Sequence, residues 1–306
     1  MQKSKTILAF ITLLIVLFLA GCSGLGTATL DARVIAKAAN TKTTAIGDVV
    51  RINWRRDDVV VNIDGLSFPP AAGLGSWAAF QPNSTGENAL LMGDTVVFQD
   101  EVDTAIDAVF RHGLNVTALH NHFFYDEPKV YFMHISGRGP AAELASGVKA
   151  VWDAIRQVRA ANPQPATRFA GPIPELKANI DANRIESTTG LHATIKSEGI
   201  VKISTDRTGS MQSTKIGGAM GLSSWAAFSG SDELAVMDGD IIMTADEVPS
   251  VLKALRDNGV HIVALHNHML AEQPTYYFTH FWGKGPAIEL AKAFKAALEK
   301  QAQYKK

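Results

Sequence analysis

The sequence has little cysteine, almost no excess charge, and only one long apolar run, at its start. Cys22 is the only cysteine among 306 residues, which excludes a disulfide framework and a thiolate metal site. The 29 basic and 30 acidic residues nearly cancel, and this balance argues against nucleic acid as a partner. An apolar content of 46% predicts a soluble globular body.

The first 21 residues have the layout of a signal peptide. Lys3 and Lys5 precede an apolar run over residues 6–20, which is shorter than the roughly 20 residues of a spanning helix. The run ends in Leu-Ala-Gly before Cys22, an order typical of the bacterial lipobox, in which the cysteine is lipidated. An ordinary cleavage site with an incidental cysteine is the alternative. We therefore expect an extracytoplasmic protein of the bacterial cell envelope, anchored to the membrane through lipid on Cys22.

The rest of the chain is duplicated. Residues 117–143 read TALHNHFFYDEPKVYFMHISGRGPAAE and residues 263–289 read VALHNHMLAEQPTYYFTHFWGKGPAIE, at a constant offset. A proline-rich stretch separates the copies and indicates a semi-extended linker. The predicted organisation is a signal peptide at 1–21, a tether at 22–29, repeat domain 1 at 30–160, a linker at 161–179 and repeat domain 2 at 180–306.

Each repeat is predicted to be an α+β domain, with an antiparallel sheet and helices packed on one side. β-branched segments bounded by turn residues alternate with amphipathic helical segments. Asp100 is predicted to cap a helix that ends at Gly113. The fold class is therefore α+β, with two homologous tandem domains.

The duplicated segment carries most of the chain's nine histidines in an H-x-H-(11 residues)-H pattern. Side chains alternate along a strand, so the first two histidines project from one face. A hairpin centred on Glu127 would place the third opposite the first, with Cβ atoms about 4.5–5.5 Å apart. This spacing predicts a metal site in each repeat, or one shared site, built from His120, His122 and His134 and from His266, His268 and His280. Histidines kept only for hydrogen bonding and packing are the alternative.

Three imidazoles with an open fourth position are typical of catalytic zinc sites, and copper, iron and nickel also accept them. The predicted cofactor is thus a divalent transition metal, with zinc first. An acid could orient an imidazole or act as general base, and the sequence does not choose among those present in both copies. These acids are Asp94 and Asp240, Glu101 and Glu247, and Glu143 and Glu289.

A glycine-rich segment follows each third histidine and leads into a helix. Free backbone N–H groups at such a turn, with a nearby cation, favour a small anionic ligand close to the metal. The alternative is a tight strand-to-helix turn. The predicted anion-binding residues are Arg138, Gly139, Lys284 and Gly285. Three histidines without a counterpart, His112, His192 and His261, are predicted on the surface, and Trp77 and Trp225 in the core.

The ALHNH block, the P-x-x-x-F/Y-x-H segment, the G-x-GP turn and the SWAAF block resemble the LppY/LpqO family of bacterial lipoproteins. The resemblance covers nearly the whole mature chain. It implies an envelope lipoprotein with tandem domains of unknown function, and it carries no catalytic assignment.

Three functions fit these patterns. The first is a metalloenzyme that hydrolyses an anionic envelope substrate with zinc-activated water. The second is a binding protein that sequesters or delivers metal without chemistry. The third is a structural or interaction lipoprotein. The sequence predicts neither the substrate nor the oligomeric state.

Overall fold

The computed structural model describes residues 29–83, 88–175 and 178–302. The predicted signal peptide and Cys22 lie outside the described residues. The first repeat contains α1 (Ala32–Ala39), β1 (Thr43–Ile46), β2 (Val49–Arg55), β3 (Asn62–Ile63), β4 (Leu66–Ser67), α2 (Pro70–Gly73), β5 (Gly75–Pro82), β6 (Ala89–Phe98), α3 (Val102–Arg111), β7 (Asn115–His120), β8 (Asp126–Glu127), β9 (Val130–Gly139) and α4 (Ala141–Ala161).

The second repeat contains β10 (Ala178–Asn179), α5 (Ala182–Thr189), β11 (Ala193–Ile195), β12 (Val201–Asp206), β13 (Gly209–Met211), β14 (Thr214–Ile216), β15 (Ser223–Ser231), β16 (Ala235–Met243), α6 (Val248–Asp257), β17 (His261–His266), β18 (Glu272–Gln273), β19 (Tyr277–Gly285) and α7 (Ala287–Leu298). Two short 3₁₀ turns lie at Ser197–Gly199 and Gly218–Met220. Among the described residues, no helix is both long enough and apolar enough to cross a membrane.

Both repeats contribute to one 13-stranded sheet. Its order is β1-β2-β5-β6-β9-β7-β17-β19-β16-β15-β12-β11, and the short β10 pairs with β15. The repeats meet where Leu119 of β7 pairs with Leu265 of β17 in antiparallel orientation. The strand order is therefore nearly the same from either edge. The α+β class is confirmed, and the two repeats form the two halves of a single sheet.

Alternation along the strands separates two kinds of buried residue. In β6, Leu91 and Val97 belong to a large core that also contains residues of α1, α3, α4, α5, α6 and α7. Val96 and Phe98 project from the opposite face into a small cluster with Phe132. An equivalent small cluster in the second repeat contains Ile242 and Phe278. The strands β4-β3-β8 and β14-β13-β18 form two small sheets that are separate from the main sheet.

The predicted register of the histidine-bearing strands is wrong by two residues. His120 pairs with Phe132, and His134 pairs with Ala118. The connection is not a simple hairpin, because Asp126 and Glu127 form β8 and pair with β3. The shift is an even number of residues, so the third histidine still projects from the same face as the first.

The predicted capping role of Asp100 is also wrong. Glu101 occupies the N-cap of α3 and makes no side-chain cap bond. Its buried carboxylate instead accepts a bond from the Phe98 N–H at 2.8 Å and pairs with Arg56 at 2.7 Å. Asp100 accepts a bond from the Ala166 N–H at 2.9 Å. The carboxylates of Asp100 and Glu101 therefore belong to a network of ion pairs and hydrogen bonds, and neither caps α3.

Side chains of the two repeats form ion pairs with one another near the centre of the sheet. Arg256 of α6 pairs with Asp103 at 3.0 Å and with Asp107 at 2.9 Å, both on α3. His261, predicted on the surface, is partly buried. It pairs with Asp103 and stacks on Phe169 of the linker, with ring centroids 3.7 Å apart. The linker therefore contributes to the contact between repeats.

Candidate metal centre

A row of paired residues crosses the same face of the sheet in each repeat. Directly paired residues on neighbouring antiparallel strands project from one face. In the first repeat the row joins Trp77, Asp94, His134 and Ala118. In the second it joins Trp225, Asp240, His280 and Ala264. The strand register therefore places an aspartate beside the histidines in both halves.

The histidines of each repeat converge around their first member. In the first repeat the His120 ring centroid lies 5.1 Å from His122 and 5.1 Å from His134. In the second repeat the His266 ring centroid lies 5.2 Å from His268 and 5.0 Å from His280. We call these groups the first histidine cluster, with Asp94, His120, His122 and His134, and the second histidine cluster, with Asp240, His266, His268 and His280.

A buried phenylalanine supports the second histidine of each cluster. His122 and His268 follow the ends of β7 and β17, so strand pairing does not fix their positions. His122 stacks on Phe132 and His268 stacks on Phe278, each with ring centroids 3.4 Å apart. Because these phenylalanines are fully packed, they hold the imidazole planes against the sheet.

The second cluster contains a compact set of ligand atoms. Asp240, His266 and His268 offer one ligand atom each, and these atoms all lie within 4.8 Å of one another. His268 Nε2 is 3.1 Å from Asp240 Oδ2. His280 is not a member of this set, and its Nδ1 lies 3.1 Å from the Gly239 carbonyl oxygen. The compact set thus replaces one predicted imidazole with a carboxylate.

Buried atoms without partners mark both clusters. Asp240 is 2% exposed and Asp94 is 8% exposed, and the Oδ1 atom of each has no hydrogen-bond partner. His266 Nε2 is likewise buried and unpartnered, while its Nδ1 lies 3.3 Å from the Asn267 carbonyl oxygen. Buried polar atoms are nearly always satisfied in folded proteins. An ion bound in each cluster would satisfy these atoms.

Burial sets the electrostatics of the clusters. Burial lowers the pKa of His122 and of His268, although the Asp240 carboxylate acts in the opposite direction on His268. Burial raises the pKa of Asp94, against the opposing effect of the three neighbouring histidines. The depressed histidine pKa values favour neutral imidazole, which is the form that binds a metal ion.

Of the acids shared by the two copies, only Asp94 and Asp240 belong to the clusters. Glu101 and Glu247 are buried in ion pairs with arginines. Glu143 and Glu289 lie in the first turns of α4 and α7, and Glu289 pairs with Lys292 at 2.8 Å. The repeated Gly-Asp at 93–94 and 239–240 was the signal in the sequence, but nothing local places β6 beside β9.

The predicted anion-binding turn is part of a strand. Arg138 and Gly139 end β9 and pair with Leu90 and Ala89 of β6. Four residues of extended strand separate Arg138 from His134, which amounts to roughly 13 Å. In the second repeat Lys284 donates to the Ala170 carbonyl oxygen of the linker at 2.8 Å. The predicted anion-binding role of these residues stays a prediction.

Both tryptophans were predicted in the core, and this prediction is wrong. Trp77 and Trp225 are half-buried, and each pairs directly with the aspartate of its cluster. The Arg51 guanidinium lies 4.4 Å from the Trp77 ring centroid, and Lys202 Nζ lies 4.1 Å from that of Trp225. Each cluster therefore has a cation held over an aromatic ring beside it.

Fold and site together define a tandem-repeat α+β protein with a histidine–aspartate cluster on each half of one sheet. A family model described as Domain of Unknown Function (DUF1259) matches residues 33–154 and 183–300. The chain belongs to this family and contains two tandem copies of its domain. The narrower LppY/LpqO relationship stays a prediction.

Solved structures offer only distant likenesses. EtuB from Clostridium kluyveri is 12% identical, with 84% of this chain and 88% of that chain covered and a TM-score of 0.21. A trimeric bacterial microcompartment shell protein, PduB, is 10% identical, with coverages of 85% and 89% and a TM-score of 0.19. These scores are too low to carry an argument about function. No curated protein matches the chain.

Proposed function

We propose that each repeat binds a divalent transition-metal ion and that the protein uses it to hydrolyse an anionic substrate of the cell envelope. One observation carries the proposal: ligand atoms of Asp240, His266 and His268 lie within 4.8 Å of one another. The equivalent ligands in the first repeat are Asp94, His120 and His122. His134 and His280 stand beside these sets as further ligands or orienting groups.

The donor set suits zinc first. Imidazole and carboxylate are common zinc ligands, and copper, iron and nickel also accept this combination. The His268 side chain is 31% exposed, so solvent reaches the set from the face of the sheet. An ion held by three protein ligands can lower the pKa of a bound water to near 7 and so supply a nucleophile at neutral pH.

The chain's own residues have distinct roles in this proposal. Asp240 balances the charge of the ion and holds His268, while Phe278 fixes the plane of that imidazole. Lys202, held over Trp225 beside Asp240, supplies positive charge for an anionic substrate. Arg51 has the same position in the first repeat. These cations take over the role predicted for Arg138 and Lys284.

We also propose where the protein lies in the cell and which face of its sheet meets the substrate. Lipidation at Cys22 would anchor it to the envelope membrane on the extracytoplasmic side, as in the LppY/LpqO lipoproteins that it resembles. Packing of the helices on one side of the sheet would leave both histidine clusters on the other face, which the small hydrophobic clusters around Phe132 and Phe278 cover only in part. The shared core of helix residues and of inward residues such as Leu91 and Val97 supports this arrangement.

Metal analysis of untagged protein tests the binding step. We expect two ions per chain in the wild type and none in a His120→Ala/His266→Ala variant. The matched control is His112→Ala/His192→Ala, which removes two exposed histidines outside the clusters and should keep both ions. Equal metal content in the cluster variant and the wild type would contradict the proposal.

Turnover separates hydrolysis from metal sequestration or delivery. His280, with its ring centroid 5.0 Å from His266, could close the second site as a fourth ligand, and a closed site favours storage. We expect the zinc-loaded protein to cleave chromogenic phosphate and carboxylate esters, and the chelated protein to be inactive. Two bound ions without turnover on any of these esters would favour the non-catalytic function.

A further inference from the structure

We propose that the two ions form a pair across the centre of the sheet and that a single acidic saccharide chain bridges them. This inference rests on the proposed metal binding and names the substrate class of the same site. The seam, defined as the paired strands β7 and β17, brings the two clusters together.

The seam fixes which residues are neighbours. Leu119 and Leu265 pair directly and both project into the large core. His120 and His266 each follow one of these leucines, so both project from the opposite face, beside the seam. Continuing the pairing from Leu119 and Leu265 makes these histidines diagonal neighbours, with Cβ atoms about 7–8 Å apart. The clusters therefore adjoin.

The spacing of the ions follows from the strand order. Each histidine cluster spans three strands, with its aspartate on β6 or β16 and its histidines on β9 or β19 and on or just after β7 or β17. An ion at the centre of each cluster would lie over β9 or β19, which are three strand spacings apart, or roughly 14 Å. The Leu119–Leu265 pairing also offsets the clusters by two residues along the strands, roughly 7 Å, so the ions would lie roughly 16 Å apart. The ion pairs between Arg256 and α3 hold the two halves in this relation.

The row of paired residues in each repeat continues outward from the seam. Beyond each aspartate lies its paired tryptophan, and over each tryptophan lies a cation, Arg51 or Lys202. The order from one side to the other is cation, aromatic ring, ion, seam, ion, aromatic ring, cation. This track crosses the strands and recurs in mirror order, which matches a linear ligand with repeated negative charges.

A sugar chain fits this track better than a nucleic acid. The cation over each ring covers one face of the tryptophan, so sugar units would meet the ring edge and the cation, which can contact hydroxyl and carboxylate oxygens. The chain as a whole has 29 basic and 30 acidic residues, so it lacks the basic surplus that nucleic-acid binding requires. Repeated carboxylates on a saccharide would instead meet the two ions and the two cations.

Binding of oligogalacturonates to the zinc-loaded full chain tests the inference. A chain of about eight units can span both ions, whereas a dimer reaches one, so the longer chain should bind at least about 100-fold tighter. In His120→Ala/His122→Ala and in His266→Ala/His268→Ala, which keep one cluster each, that preference should fall to within about fivefold. Zinc content and circular dichroism of the same samples verify loading and folding.

The outcomes separate the two proposals. Failure of the wild type to load two ions would overturn metal binding itself. Two ions with equal affinity for the long and short saccharides would overturn the bridging ligand alone. Tighter binding of an equally long single-stranded DNA would overturn the saccharide assignment. Pulsed EPR of the copper-loaded protein should give a copper–copper separation of roughly 16 Å, and one above about 25 Å would also contradict the inference.

Discussion

The two repeats share their ligands but differ in how far each cluster is assembled. In the second repeat His268 already lies 3.1 Å from Asp240. In the first repeat the pKa of Asp94 is raised, with burial as the largest cause. The same strand register thus gives one cluster with a formed carboxylate–imidazole pair and one in which burial disfavours the ionised carboxylate. The register decides which side chains are neighbours, and local contacts set the hydrogen bonds of each carboxylate.

The buried ion pairs of the two repeats also differ. In the first repeat Glu101 is fully buried between Arg56 at 2.7 Å and Arg159 at 2.6 Å. In the second repeat Glu247 pairs with Arg207 at 2.7 Å and accepts a bond from the Ala302 N–H at 2.6 Å. Both repeats keep a buried acid at the N-terminus of a helix, α3 or α6, and the first surrounds it with more positive charge.

Breaking the buried ion pairs should have the largest effect. Glu101→Gln removes the fully buried carboxylate that Arg56 and Arg159 share and leaves them only Asp58 and Asp100 as partners, and we expect a loss of about 3–5 kcal/mol in the free energy of unfolding. Glu247→Gln should cost less, because Arg207 is 8% exposed whereas Arg56 is fully buried. Urea unfolding measures both, with Glu143→Gln as the exposed control. A larger loss for Glu247→Gln would contradict the comparison.

Removing the Asp240 carboxylate should weaken zinc binding at the second cluster only. Asp240→Asn should weaken zinc binding at the second cluster by at least about 100-fold and leave the first unchanged. The matched control is Asp257→Asn, an exposed aspartate of the same repeat that pairs with Lys253 at the end of α6. Calorimetric titration resolves the two sites. Two sites of unaltered affinity in Asp240→Asn would rule out this carboxylate as a ligand.

Acidification should release both ions. Protons compete with the metal for imidazole and carboxylate, so affinity falls as pH falls, by about tenfold per pH unit for each proton taken up. Because burial lowers the pKa of His122 and His268, protonation of these two ligands should contribute below the ordinary histidine value of about 6.5. In the first cluster, protonation of Asp94, whose pKa burial raises, should add to the loss.

Zinc titrations between pH 7.5 and 4.5 check this loss, with Asp94→Asn and Asp240→Asn assigning each transition. Affinity that stays constant down to pH 4.5 would contradict imidazole ligation.

The smallest expected effect concerns the phenylalanine below each imidazole. Phe278→Leu removes the ring that stacks on His268 at 3.4 Å, and it should weaken zinc binding at the second cluster by about tenfold. Phe132→Leu should do the same for the first cluster. The control is Phe294→Leu, a core position away from both clusters. Equal loss in the control would show a general packing effect.

The duplication, the α+β class and the shared face of the histidines were predictable because they depend on periodicity within single strands. The aspartate ligands were not chosen, because β6 lies beside β9 only in the folded sheet. The register was wrong by two residues, because Asp126 and Glu127 pair with β3 instead of extending the hairpin. The pairing of Leu119 with Leu265 was not predictable either, because nothing in the sequence of either repeat indicates a strand that pairs with its counterpart in the other repeat.

Crystals of the zinc-loaded protein, measured at the zinc absorption edge, give the most direct test of the central claim. The account predicts two anomalous peaks per chain, one contacting Asp94, His120 and His122, and the other contacting Asp240, His266 and His268. Peaks confined to His112 or His192, or no peak at either cluster at saturating zinc, would contradict it.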